Sequence, residues 1–281
     1  MTSMPKRIVI VGICLLLFVS ACGGGPVAGP ADEASIPEVE LYEQPIADAP
    51  DPADRAGAAS KFVECSYGIW DGGWALDYGP SETGSKPDQA LARFLDMGLF
   101  GLPSTGYVLA GKDTDRMLYT YSVDGSSKVA IIAARSEAVG FDEPTGGWVV
   151  ETFATCDPAE FATSSDDEVP VEVWLDTDGN RVPTSIISSS QGAEHCGWET
   201  VTYLTFQDQT YIGDPNGVMD VPFVGGYDDD AQLPPDAIDT GYHRDDRELW
   251  ISADGTVAYL VGDDRTEAWP TPEDPDSIWC A

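Results

Sequence analysis

The side chains of this 281-residue chain that could do chemistry are six cysteines, two histidines and a surplus of carboxylates, 49 acidic residues against 14 basic ones. Beyond residue 22 the cysteines are Cys65, Cys156, Cys196 and Cys280. None forms a C-x-x-C pair, and His195 beside Cys196 has no zinc-site spacing, so thiolate ligation of a metal is disfavoured. A serine nucleophile needs a sharp elbow or a neighbouring lysine, and neither G-x-S-x-G nor S-x-x-K occurs beyond residue 22. His195 and His243 could each act as a general base. Without sequence partners they are expected instead to be a packing residue beside a disulfide and a residue of a polar loop. Two carboxylates flanking a glycosidic bond could cut it, but 49 acidic residues offer every pairing and single out none. No catalytic residue is expected.

Three further motifs bear on ligands. Gly106–Asp113 approaches a phosphate-cradling P-loop, but Asp113 replaces the magnesium-binding Ser or Thr and a strand follows where a helix is needed. Trp70, Trp74 and Tyr78 in IWDGGWALDYG could make a sugar-stacking platform, although the glycines suggest an irregular loop whose aromatics pack on a sheet edge. Asp176-x-Asp178-x-Asn180 opens like an EF-hand loop, yet Arg181 stands where glycine is needed and Ile187 where the bidentate glutamate should be. A turn takes that site. Asp228, Asp229 and Asp230, with Asp236 and Asp239 nearby, remain as an irregular oxygen-rich site. Calcium is the one cofactor suggested there, against the competing reading of a solvated acidic loop.

The N-terminus gives the address. Lys6 and Arg7 precede Ile8–Val19, an apolar run too short for a membrane-spanning helix but suited to a secretory signal. Leu17-Phe18-Val19-Ser20-Ala21-Cys22 resembles the bacterial lipobox, at which signal peptidase II cuts before a cysteine carrying diacylglycerol. The resemblance implies a signal peptide over residues 1–21 and lipidation of Cys22, with palmitate as the further acyl group. Two or three acyl chains anchor a protein stably, so the body is expected on the extracytoplasmic face of the cell membrane. An oxidising compartment makes disulfides the default for the four remaining cysteines. They allow three pairings; Cys65–Cys156 with Cys196–Cys280 is the one expected, because each bond would bracket one of two halves parting near Thr163–Glu168.

These side chains need a scaffold. Residues 22–60 hold the lipidated cysteine and a Pro/Ala-rich acidic stretch that reads as a disordered tether. Residues 61–165 read as an α+β half. One helix starts at Ser85 with Pro87 in its first turn and ends at Gly98, and it packs on an antiparallel meander of 107–111, 117–123, 128–135 and 148–155. Residues 166–281 read as mostly β, with strands at 171–175, 182–188, 198–206, 210–212, 248–252, 256–261 and 267–269. Asp124-Gly125, Asp178-Gly179 and Asp254-Gly255 are hairpin turns. Between Gly225 and Arg247 a long polar loop is expected. The fold class is therefore α+β, mostly antiparallel β.

TCDPAEF (155–161), HCGWETVTYL (195–204), YIGDP (211–215), ELWISADGTVAYLV and the terminal Trp279-Cys280-Ala281 together resemble a group of uncharacterised actinobacterial secreted lipoproteins. The likeness covers most of residues 60–281 and implies secretion and a two-part body, with no activity to carry over. A net charge of −35 rules out a nucleic-acid partner. The expected role is a lipid-anchored, non-catalytic module binding an extracytoplasmic ligand or protein. The alternative is an envelope glycan or peptide hydrolase with paired carboxylates.

Overall fold

The computed structural model describes residues 36–75, 84–98, 102–139, 146–161, 171–220 and 222–278. The chain divides into Met1–Ser35 and Ile36–Ala281. The signal segment, Cys22, Tyr78 and Cys280 lie outside the described residues. The described body is mostly antiparallel β.

The first sheet holds β1 (Ile69–Trp74), β2 (Val108–Lys112), β3 (Arg116–Val123), β4 (Ser126–Arg135) and β5 (Trp148–Cys156), in the order β1-β5-β4-β3-β2. Every neighbour is antiparallel. In β4 the run Val129–Ala134 is apolar without alternation, and each of these residues is fully buried. A strand of that kind needs cover on both faces. Ala90, Leu91 and Phe94 of helix α2 (Pro87–Asp96) join Val129, Ile131, Ala133 and Phe153 in one apolar cluster, and the Phe94 and Phe153 rings lie 5.7 Å apart. Pro87 opens the helix, as its missing N–H allows. Lys86, not Ser85, is the N-cap; the Gln89 side-chain oxygen instead accepts from the Ser85 amide and hydroxyl. Gly98, at φ 63°, ends the helix.

The opposite face corrects the tether. Leu41, Ala56, Ala58 and Ala59 pack with Leu118, Ala130, Ile132 and Ala154. They belong to an N-terminal segment containing α1 (Pro52–Ala56) and a 3₁₀ turn (Gly57–Phe62). Of the expected 22–60 tether, the part from Ile36 onward is thus built into the body. Pro/Ala composition suggests disorder because it offers little to bury. Here the small alanines suit a close approach to the sheet, and Asp51 caps α1. Gly72 explains the glycines of IWDGGW: a Cβ there would meet the Ala56 Cβ at 2.8 Å. This segment is an edge strand under a helix, not an irregular loop.

Beyond residue 170 two four-stranded meanders form. One comprises β6 (Val171–Glu172), β7 (Ile187–Gln191), β8 (Thr202–Phe206) and β9 (Gln209–Gly213), in sequence order. The other comprises β10 (Ile238–Arg244), β11 (Arg247–Ile251), β12 (Val257–Val261) and β13 (Thr266–Pro270). The expected strand at 182–188 begins only at Ile187, because residues 175–182 double back around Gly179 (φ 79°). The Gly225–Arg247 stretch is not a free loop. Val224, Asp228 and Ala231 bond to the backbone along β13, and β10 occupies its second part.

The expected boundary near residue 165 does not divide the body: Ile36–Ala281 is one compact unit. The halves keep separate apolar clusters, but buried Asp157 links them by accepting from the Thr184 amide and hydroxyl, both at 2.9 Å. Cys65 is bonded to Cys156. Cys196 is disulfide-bonded as well.

Beside the Cys65–Cys156 bond, Lys128 donates to the Glu160 carboxylate and to the Glu64 carbonyl, each at 2.7 Å. Burial alone would raise the Glu160 carboxyl. The Lys128 ammonium and the Ser66 and Tyr67 amides outweigh it and hold the group below its ordinary value of 4.5. A depressed folded value means the stabilisation is fully present above the unfolded value and is lost as pH falls through the folded one. Glu160→Gln is therefore expected to flatten the decline of the urea midpoint below about pH 4.5. An unchanged acid limb would remove Glu160 from this account.

Candidate functional site: a polar cup between two sheets

The two meanders stack with their apolar faces together. Ile187, Leu204, Phe206 and Tyr211 from one meet Leu249, Ile251, Ala258, Leu260 and Trp269 from the other. Along one margin Leu175 and His243 exchange two backbone hydrogen bonds of 2.9 Å. At the other, β9 and β13 approach closely enough that a Cβ on Gly213 would lie 2.6 Å from the Trp269 ring. Glycine is what lets these strands close.

Cross-strand partners share a face, so the register shows what points inward. One inward row is Glu172–Ser189–Leu204–Tyr211, and the next is Gln191–Thr202–Gly213. On the facing sheet the rows are Arg244–Arg247, Leu249–Leu260–Glu267 and Ile251–Ala258–Trp269. The inward positions are apolar at one end of the stack and polar or charged at the other. That polar end is a cavity of about 330 Å³ to which all eight strands contribute. Its size falls within the usual range of small-molecule sites.

Two hydrogen-bonded chains form the cup wall. The Trp174 indole donates to the Ser189 hydroxyl at 3.2 Å, Ser189 donates to Glu172, and Arg244 reaches across the sheet margin to the same carboxylate. On the other side the Trp269 indole donates to Glu267 at 3.0 Å, and Arg265 pairs with Glu267 at 2.6 Å. The Arg247 guanidinium stands 4.0 Å from Glu267. Burial, with the Glu267 carboxylate beside it, raises the Tyr227 phenol, against the opposing Arg265 charge. Three of the chain's 14 basic residues thus line one cavity. Next to it, sharing Pro215 and Tyr227, lies a hollow of about 420 Å³ lined by Ile212, Asp214, Met219, Phe223 and Pro270.

The residues singled out from sequence fall elsewhere, with one exception. Asp176 accepts from the Asp178 and Asn180 amides, the turn that was expected. Asp228 bridges Ala268 through its backbone and its side chain accepts from the Asp230 amide. Asp229 lines the cup. The three side chains do not bring their carboxylates together; among the described residues, the one group of converging ligand atoms is Cys65, Cys156 and Glu160, whose two sulfurs form the disulfide. His195 lies in a 3₁₀ turn beside Cys196, and His243 in β10, not in a loop. Glu172, Arg244, Arg247, Arg265 and Glu267 were not anticipated. Their signal was alternation: Arg247-x-Leu249-x-Ile251 and Glu267-x-Trp269 place a charge at an inward register position. Comparison with protein-family models, with curated proteins and with solved structures finds nothing that matches this chain.

Proposed function

We propose that the chain is an extracytoplasmic lipoprotein, anchored through acylated Cys22, whose body is a non-catalytic module binding a small polar ligand in the cup. The observation that carries the binding reading is the register: inward side chains from both meanders turn polar at the same end and enclose one cavity. The lipobox resemblance and the likeness to actinobacterial secreted lipoproteins support the address. Glu172 and Glu267 share the cup, so the hydrolase alternative has a pair to work with. Each is already engaged by an arginine and by a hydroxyl or indole donor, which favours a structural role in the wall over acid–base work.

Two experiments test the two parts. Cys22→Ser is expected to leave the precursor uncleaved or to shed the protein from the membrane fraction; an unchanged membrane-bound product overturns the anchor. For the cup, native mass spectrometry of the protein with a mixture of amino acids, sugars and small organic acids is expected to retain one adduct. Gln191→Trp, which places a large ring at the exposed mouth, is expected to abolish it. If no solute is retained, or if the adduct survives the substitution, the binding reading fails.

A further inference from the structure

Taking the cup as a binding site, we infer that its ligand is a small zwitterion of the amino-acid type, its carboxylate on Arg247 and its ammonium on Asp229. Most charged groups of the cup are spoken for: Glu172 by Ser189 and Arg244, and Glu267 by Trp269 and Arg265. The Arg247 guanidinium donates no hydrogen bond within the described residues and has only the 4.0 Å ion pair with Glu267. Asp229, exposed at the rim, accepts none. The charged groups of the cup without a side-chain hydrogen bond are therefore the Arg247 guanidinium and the Asp229 carboxylate, while Arg265, 61% exposed, keeps donors beyond its bond to Glu267. Around them stand the hydroxyls of Thr200 and Thr202 and the Gln191 amide, also without internal partners.

Charge matching selects among ligands that fit. A simple anion would pair with Arg247 but leave Asp229 uncompensated, and it would approach a chain of net charge −35. A cation would leave Arg247 unmatched. A neutral polyol would displace water from both charges without supplying a counter-charge to either, which costs free energy. A zwitterion answers both at once. A carboxylate fits the planar fork of a guanidinium with two parallel hydrogen bonds, and an ammonium gives compact donors to a carboxylate. The indole N–H groups of Trp174 and Trp269 are used inside the wall and both rings are buried, so neither indole offers a face for sugar stacking. The free hydroxyls and amide suit a short polar side chain such as that of serine.

The test is calorimetric titration of the full mature protein in detergent with L-serine, N-acetylserine, serinamide, glucose and acetate. Serine is expected to bind, and N-acetylserine and serinamide, each lacking one of the two charges, are expected to bind at least tenfold more weakly. Arg247→Gln and Asp229→Asn are each expected to weaken serine at least tenfold. Gln191→Trp is expected to abolish binding. Should a variant fail to fold, the two blocked ligands still decide the matter on the unaltered protein. Equal binding of serine and its blocked forms, or serine binding undiminished in a folded variant, overturns the assignment. Glucose or acetate binding in place of serine overturns the zwitterion and leaves the cup a binding site; no binding by any of the five overturns the zwitterion, and the native-mass experiment then decides the cup.

Discussion

Glu151→Ala is expected to lower the free energy of unfolding by about 3–5 kcal/mol, the usual cost of leaving one partner of a buried ion pair unmatched. Glu151 on β5 accepts from Arg116 on β3 through two parallel bonds of 2.6 and 2.9 Å, with the side chains only 7% and 10% exposed. The pair reaches across the intervening strand, where Arg116 faces Ala134. A bulge makes this reach workable. The register of β4 with β5 runs Ile132↔Thr152 and then Ala133↔Val150, so Glu151 is the extra residue and its side chain is re-aimed. The Arg116 guanidinium also lies 4.7 Å from the centre of the Tyr42 ring, which ties the N-terminal segment to the sheet. Removing both charges, as in Arg116→Met with Glu151→Leu, is expected to recover most of the loss, since a buried pair replaced by apolar groups is often neutral. Urea midpoints measure both effects. A single-variant loss under about 1 kcal/mol would mean that water reaches the site.

Replacing Cys65 and Cys156 together by serine is expected to cost about 4–5 kcal/mol in the chain-entropy model. The residues are 91 apart, so their bond closes a loop comprising β1 to β5 and α2. The loss does not end with the covalent link. Glu64, Ser66 and Tyr67 supply the carbonyl and amides that meet Lys128 and Glu160, and the bond at Cys65 holds that stretch in place. The double variant is therefore expected to lose the Glu160 contribution to the acid limb as well. Non-reducing peptide mapping should recover Cys65 joined to Cys156. A double variant with the stability of the parent would show that packing alone confines the loop.

Much of the first sheet was legible in the sequence because its signals are local. Met117 to Val123 alternates, Asp124-Gly125 adopts positive φ at both residues, and α2 carries its proline and glycine punctuation. The N-terminal segment was misread because its partner is distant: Val39 pairs with Lys112, and Leu41 packs with Leu118. β10 was missed for a related reason. IDTGYHR is polar and its glycine is left-handed at φ 74°, so pairing with β11 and Leu175, not propensity, makes it a strand. The β8–β9 turn uses Gln207 and Asp208, both at positive φ, where glycine or asparagine would have announced it. The cup escaped notice because it exists only when two sheets meet. A charge on alternate residues of a strand reads as a solvated face until a second sheet encloses it.

The position of the disulfide also determines how the body answers a pull on its N-terminal end. Tension would first peel Ile36–Glu64 from the sheet, breaking the Val39–Lys112 pairing and drawing Arg55 away from Asp71. That releases about 100 Å of chain at roughly 3.5 Å per residue. At Cys65 the load passes through the covalent bond to Cys156, at the end of inner strand β5, and bypasses everything between them. Extension stops there until the bond is reduced or the remainder is torn from residue 156 onward. The segment Ile36–Glu64 is thus a short extensible element in series with a fixed stop.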